Sequence, residues 1–334
     1  MDASRSTPQT QLNPERFTEK RPARILQLGL AADGPLTSAR WGTSQVKSNI
    51  SSCTAVVEGS LDASRVCIVI SNPGSNQAHW DLEPMAGSEM GIAPAGCNVD
   101  VVAPPGTHFV FVPRAELAHA ASTELGMIPG EGQWPCKLAT DPVILKELRQ
   151  LLAGMHQEEV PFETRNQRGE LIIRLIARAA LHGTTARTTS QASVRADQLR
   201  LARTFIEDNF TQSLAIETVA EAAAVGVRTL QRRFKDVFDT TPLTYIRAVR
   251  LHRVRLALQT AEPGTQVARV ALANGLTHMG RFSQEYRRLF DELPRQTLAR
   301  AGSGQATRQA EPPPAPERRD SPFDSNPGPF TRTA

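Results

Sequence analysis

VAEAAAVGVRTLQRRF (219–234) and VARVALANGLTHMGRFSQEY (267–286) are two copies of one pattern. Each runs Val-Ala, an apolar turn of helix, a small residue at a bend, then a second helix carrying basic side chains. Ala220 and Ala224 correspond to Ala271 and Gly275, an offset of 51 residues. Phe234, Phe238-Asp239 and Pro242 correspond to Tyr286, Phe290-Asp291 and Pro294, an offset of 52. A single helix-turn-helix pattern in an Ala/Val-rich stretch says little. Two in register, each closed by Phe-Asp-x-x-Pro, predict a double helix-turn-helix that reads DNA with two recognition helices.

The residue types suit that geometry. Two helices crossing steeply need a small residue at the crossing, supplied by Ala220 and Ala271. The bend favours a residue tolerant of positive φ, which Gly275 provides; Ala224 in the first copy meets that demand at a cost of about 1 kcal/mol. Thr277 is a good N-cap for the second recognition helix, and Gly226 an acceptable one for the first. Helical spacing puts Val227, Leu230, Phe234 and Phe238 on one stripe, leaving Arg228, Gln231, Arg232 and Lys235 outside. In the second copy Met279, Phe282, Tyr286 and Phe290 form the stripe, with Gly280, Arg281, Gln284 and Arg288 outside. Arg and Gln make bidentate contacts to guanine and adenine edges in the major groove, so these outer positions are the candidate base readers. The bland alternative, a solvated face of a helical bundle, does not explain why the whole bundle repeats.

The Val227-Arg228-Thr229-Leu230-Gln231-Arg232-x-Phe234 run, the Pro242-x-x-Tyr245-x-x-x-x-Arg250-Leu251 connector and the run from Gly275 through Phe282, Tyr286-Arg287-Arg288 and Phe290 to Pro294 resemble the AraC/XylS family of bacterial transcription regulators. The resemblance covers about residues 196–300. It implies two helix-turn-helix units joined by one long helix and contacting two successive major grooves of double-stranded DNA. Carried over residue by residue, it places base reading on Arg228, Gln231 and Arg232 in the first unit and on Gly280, Arg281 and Gln284 in the second. It also implies RNA polymerase as a partner and a small-molecule effector. The chain departs from the family pattern at Gly226, where a capping Ser is usual, at Ala224, where Gly is common, and at Asp239 and Asp291, where Gly often stands. Gly280 has no side chain with which to read a base.

The connector supports the same reading from local chemistry alone. Thr241-Pro242 is an N-cap followed by Pro at the first helical position, and nothing breaks the helix until Glu262-Pro263-Gly264. Some 17–18 helical residues span roughly 26 Å, a rigid spacer suited to recognition helices one turn of B-DNA apart. The charge agrees. Residues 195–300 carry 17 Arg/Lys against 11 Asp/Glu, whereas the rest of the chain carries 21 against 23. A polyanion is the natural partner for that domain.

Short β-rich runs fill residues 24–135: CTAVVE (53–58), VCIVIS (66–71), NVDVVA (98–103) and THFVFVP (107–113), with turn clusters between them. Their spacing predicts an antiparallel sandwich or barrel, and the segment resembles the cupin-like barrel that such regulators often carry. His79 and His108 stand alone, without the paired His-x-His of a metal-binding cupin, so neither metal nor cofactor is expected. Cys53, Cys67, Cys97 and Cys136 form no C-x-x-C and read as small buried or half-buried side chains in a reducing cytoplasm. No 18-residue apolar run and no apolar h-region near the start are present, which points to a cytoplasmic protein without membrane association.

Two amphipathic stretches follow, DPVILKELRQLLAGMHQ (141–157) and GELIIRLIARAALHG (169–183). Their aliphatic faces need a partner, either the barrel of the same chain or a second chain in a homodimer. The expected organisation is therefore an α+β multidomain chain: a disordered 1–20, a cupin-like sensor domain at 21–140, linker or dimerisation helices at 141–183, a flexible linker at 184–194, the DNA-binding domain at 195–300 and a disordered tail at 301–334. The function expected is a ligand-responsive activator, not an enzyme. The alternatives are a cupin-type enzyme or small-molecule-binding protein with an accessory DNA-binding domain, and a constitutive regulator without a ligand. No nucleophile–base pair, paired carboxylates or phosphate loop favours the enzyme.

Overall fold

The computed structural model describes residues 24–309, except 30–35, 42–45, 62, 73–76, 95, 126–136, 158–160, 186–189 and 263. The segments expected to be disordered at 1–20 and beyond 309, and Cys136, lie outside the described residues. The first half of the chain contributes strands β1 (Arg24–Gln27), β2 (Leu36–Trp41), β3 (Val46–Ser51), β4 (Ala55–Ser60), β5 (Arg65–Ile70), β6 (His79–Trp80), β7 (Glu83–Pro84), β8 (Glu89–Ala93), β9 (Asn98–Ala103) and β10 (His108–Pro113). Helix α1 (Arg114–Leu125), β11 (Lys137–Ala139), α2 (Pro142–Gln157), α3 (Phe162–His182) and β12 (Thr184–Thr185) complete the N-terminal domain. The strands form two antiparallel sheets, one ordered β1-β4-β9-β6-β7 and the other β12-β11-β8-β5-β10-β3-β2.

The layers explain the sequence texture. In β5, Val66, Ile68 and Ile70 face α1–α3, while Cys67 and Val69 face the other sheet. In β10, Val110 and Val112 face the helices and Phe109 the opposing sheet. A strand covered on both faces has no polar side to present, so VCIVI and HFVFV read as unbroken apolar runs. The five-stranded sheet is covered twice as well. Val99, Val101 and Ala103 of β9 pack between the sheets, whereas Val102, with Leu26, Val56 and Leu82, packs against the C-terminal domain.

Most of the aliphatic faces of 141–157 and 169–183 is covered within the chain, although Val143 and Leu171 stay 70% and 38% exposed. Leu145, Leu148 and Leu152 of α2 and Ile172 and Ile176 of α3 are fully buried in one cluster with β5, β8 and β10. Of the two partners left open for these faces, the sheet of the same chain takes the larger part. The expected flexible linker also differs: Thr184–Thr185 pair with β11, and α4 already begins at Ser190.

The C-terminal domain comprises α4 (Ser190–Asn209), α5 (Ile216–Ala222), α6 (Val227–Phe238), α7 (Pro242–Gln259), α8 (Val267–Ala273), α9 (Met279–Phe290) and α10 (Pro294–Gln309). The last helix runs nine residues past Arg300, into the segment expected as tail.

The five-stranded sheet docks on the back of this domain through charge as well as apolar contact. Glu58 of β4 and Asp100 of β9 are direct cross-strand neighbours, a like-charged pairing that a sheet resists. Arg203 of α4 resolves it, donating to Glu58 and, at 2.8 Å, to Asp100. Arg24 of β1 bridges Glu58 at 3.0 Å and Glu207 of α4 at 2.6 Å. Gln27 of β1 reaches further: its backbone N–H donates to His252 Nε2 of α7 at 2.9 Å, and its side-chain amide donates to the Leu289 carbonyl of α9 at 2.8 Å. The two-residue turn between β6 and β7 holds Asp81 and Leu82 at φ 51° and 65°, the signs a type I′ hairpin turn requires. Burial of Leu82 against the C-terminal domain offsets the cost of a left-handed leucine.

Candidate nucleic-acid interface

The two repeats fold alike at the level of single hydrogen bonds. In the first turn Ala224 N–H donates to Glu221 O at 2.9 Å and Val225 N–H to Ala220 O at 3.0 Å; in the second Gly275 N–H donates to Leu272 O and Leu276 N–H to Ala271 O, both at 3.0 Å. The bend residue is left-handed in both, with φ 52° at Ala224 and 77° at Gly275. Ala220 and Ala271 are buried at the helix crossings. At Gly275 an added Cβ would lie 2.8 Å from the Thr211 carbonyl oxygen, so close backbone approach excludes any side chain. The turn around Ala224 lacks this restriction on the alanine it carries, which is strained only by its φ.

Each recognition helix closes in the same way. Asp239 and Asp291 are left-handed C-caps, φ 52° and 53°, whose backbone N–H groups donate to the carbonyls of Lys235 and Arg287. This explains the aspartates at positions where glycine is usual, since Asp tolerates that conformation better than most residues. The apolar stripes are as expected: Phe234 and Phe238 pack with Tyr245, and Phe282 and Tyr286 lead to Phe290, with ring centroids 4.7–5.8 Å apart. The N-caps divide. Gly226 caps α6, whereas α9 begins one residue later than the sequence predicts, with His278 rather than Thr277 as N-cap and no side-chain cap hydrogen bond. The connector is a continuous 18-residue α7, and Thr241 accepts from Thr244 N–H at 3.2 Å.

All eight outer positions are exposed: Arg228, Gln231, Arg232 and Lys235 on α6, and Gly280, Arg281, Gln284 and Arg288 on α9. Lys235 pairs with Asp239 at 2.5 Å, which ties its charge to the helix end. Arg233 turns back to Gln198 of α4, so the second of the two adjacent arginines on α6 is structural. Space is open around Gly280. Sequence reasoning quoted Arg250 in the connector without giving it a role, and missed Arg247 and Glu285. Glu285 Oε1 accepts from Arg247 Nη1 at 2.9 Å and from Arg281 Nε at 3.0 Å, joining α7 to α9. Arg250 donates to the Phe210 and Gln212 carbonyls at 2.7 and 2.6 Å, holding the end of α4 against α7. Arg247 and Arg250 stand three apart on the connector, and that spacing was the available signal.

Elsewhere the chemistry is quiet. Burial pushes the Cys53 thiol up to about 11 and Cys67 up to about 12, so both stay protonated; Cys97, expected to be at least half-buried, is exposed. Burial lowers His79 to about 4. Among the described residues no group of three or more His, Cys, Asp or Glu could hold a metal, and no helix is long and apolar enough to cross a membrane.

A family profile for a helix-turn-helix domain matches residues 219–300. The XylDLEGF operon transcriptional activator 2 of Pseudomonas putida is 40% identical over 96 residues, which cover 28% of this chain and 61% of that protein. The C-terminal domain belongs to the AraC/XylS family. The HTH-type transcriptional activator RhaS of Escherichia coli is 28% identical over 165 residues, covering 49% of this chain and 58% of its own length. A solved AraC-type DNA-binding domain protein from Chromobacterium violaceum is 31% identical, covering 31% of this chain and 91% of that one at a TM-score of 0.29. The chain thus spans about three-fifths of the length of these two curated relatives. The AraC/XylS assignment rests on the sequence matches and on the repeat geometry of the C-terminal domain.

Proposed function

We propose that this protein is a cytoplasmic transcription regulator that binds double-stranded DNA and responds to a small-molecule effector. The carrying observation is the exposed polar strip on each of two equivalent recognition helices, α6 and α9, held by one continuous α7. Arg228, Gln231, Arg232 and Lys235 serve one major groove, and Arg281, Gln284 and Arg288 the next, with Gly280 contributing close backbone approach rather than a side-chain contact. The effector belongs to the N-terminal domain, whose sheet is hydrogen-bonded to α4, α7 and α9; a rearrangement of that sheet reaches both DNA-reading units. Activation through contact with RNA polymerase completes the reading, and no catalytic step forms part of it.

The test begins by mapping bound promoters in cells with and without the protein. On such a promoter fragment, Arg232→Ala should lose about 1–3 kcal/mol of binding and relax preference in one half-site. Arg281→Ala should do the same in the other, about one helical turn away. Wild-type affinity in both variants would overturn the assignment of the readers.

A further inference from the structure

Three guanidinium groups converge between the two helix-turn-helix units. Arg247 and Arg250 of α7 and Arg281 of α9 line a cleft of about 300 Å³, closed by Ser213, which leads into α5, and by Thr244 at the start of α7. Like charges gathered on one cleft repel, and both burial and the neighbouring Arg247 make the Arg250 cation harder to hold. Glu285 is the carboxylate in contact with the cluster, and one of its oxygens serves both Arg247 and Arg281. One acid against three bases leaves the cleft with an excess of two positive charges. A guanidinium has five donors, so the single bonds of Arg247 and Arg281 to Glu285 leave most of theirs available, while Arg250 spends Nε and one terminal nitrogen on the Phe210 and Gln212 carbonyls and adds its charge. Arg281 remains 64% exposed and Arg247 42% exposed.

We propose that this cleft seats a backbone phosphate of the DNA where the strand crosses between the two major grooves, and that Glu285 positions Arg281 for its base. The location carries the first part, since the walls are the first half of the connector and the first turn of the second recognition helix. A duplex lying across both recognition helices must pass its backbone over that gap. The shared carboxylate oxygen carries the second part. Bonding at Nε fixes the plane of the Arg281 guanidinium and takes up neither terminal nitrogen, the pair that a bidentate contact to a base edge needs. Arg247 holds Glu285 from the other side, so the phosphate seat and the reader share one anchor. The proposal rests on the DNA-reading function above.

The experiment uses full-length protein with two duplexes, a promoter fragment mapped in cells and a scrambled duplex of equal length, titrated with salt. Arg247→Gln should make the slope of log affinity against log salt shallower by about one on both duplexes. Arg247→Lys, which keeps the charge, should retain the slope. Glu285→Ala should reduce discrimination between the duplexes by about tenfold or more, as Arg281→Ala does, without weakening binding to the scrambled duplex. Glu285→Gln, whose amide oxygen still accepts a hydrogen bond, should keep most of the discrimination.

A wild-type salt slope in Arg247→Gln overturns the phosphate seat, and wild-type discrimination in Glu285→Ala overturns the positioning role. If inorganic phosphate at constant ionic strength raises the melting temperature of DNA-free wild type but not of Arg247→Gln, the cleft belongs to a free anion and the proposal fails. In all these cases a wild-type preference for the promoter leaves the DNA-reading function standing. Loss of that preference in the wild type itself defeats both.

Discussion

Replacing Arg203 with methionine would remove the cation that makes the docking face of the five-stranded sheet tolerable. The side chain is 6% exposed and bonds to Glu58 and to Asp100, the latter at 2.8 and 3.1 Å. Methionine matches much of the length and offers no charge, so the two cross-strand carboxylates would face each other under α4. Breaking a buried pair by removing one partner typically costs about 3–5 kcal/mol. Glu58 keeps Arg24 at 3.0 Å, and Asp100 is 27% exposed on its side chain, so the lower end applies, about 3 kcal/mol. That corresponds to a fall in melting temperature of roughly 6–12 °C for a cooperative unit of about 150–250 residues. Burial already raises Asp100 above the usual carboxylate range, and losing Arg203 would raise it further. A folded carboxyl with a raised pKa binds its proton more tightly than the unfolded one, so the defect should shrink as pH falls below neutrality. Circular dichroism melts of wild type and variant at pH 7 and pH 5 measure both quantities. The triple variant Arg203→Met, Glu58→Gln, Asp100→Asn should recover much of the loss, because no charge is then left unpaired. A single variant within about 0.5 kcal/mol of wild type at pH 7 would refute the reasoning, since that is the range of ordinary surface substitutions.

Three further outcomes follow from local geometry. Burial holds His252 down at about 4 while its ring accepts from Gln27, so folding excludes a proton that the unfolded histidine takes up below about 6.5. Its contribution is intact above pH 6.5 and is lost as pH falls toward 4, by up to about 2 kcal/mol at pH 5; the difference between wild-type and His252→Gln denaturation curves across that window isolates it, and parallel curves would contradict it. Ala224→Gly relieves a left-handed alanine and should stabilise the C-terminal domain by about 1 kcal/mol, read as a higher denaturation midpoint at constant slope. Gly91→Ala places a Cβ 2.5 Å from the Trp80 ring and should destabilise the sheet sandwich by about 1–3 kcal/mol; an unchanged melting temperature would show that the ring moves freely.

The C-terminal domain was legible because its determinants are local. Bends, caps and apolar stripes lie within a dozen residues of one another, and the second copy repeats the first. The central strands were legible for a related reason: β5, β9 and β10 are covered on both faces and so are rich in β-branched and aromatic residues. Strand β1 gave no such signal. RILQ is four residues long with one side chain, Gln27, buried for its hydrogen bonds rather than its hydrophobicity. Arg203 reads in sequence as one more basic residue on a basic helix, and its acids lie 103 and 145 residues away. The partner of the α2 and α3 faces was undecidable from periodicity, which shows that a face is apolar but not what covers it. The one-residue shift from Thr277 to His278 has a similar origin, because a good capping side chain does not fix where the helix begins.

Gln27 has a consequence for how rigidly the protein can measure its operator. A rod fixed to two bodies at its ends still lets one twist against the other; a third strut between them removes that freedom. Helix α7 is the rod, and β1 is the strut, tied through one glutamine to the middle of the rod at His252 and to the far end of the second reader at Leu289. On the DNA-reading function, the protein is therefore a caliper with a locked jaw. Adding one base pair between half-sites moves the second groove by about 3.4 Å and turns it by about 35°. With the jaw locked, the duplex must bend or untwist to close that gap, so tolerance to spacing is set by the flexibility of the operator's central steps.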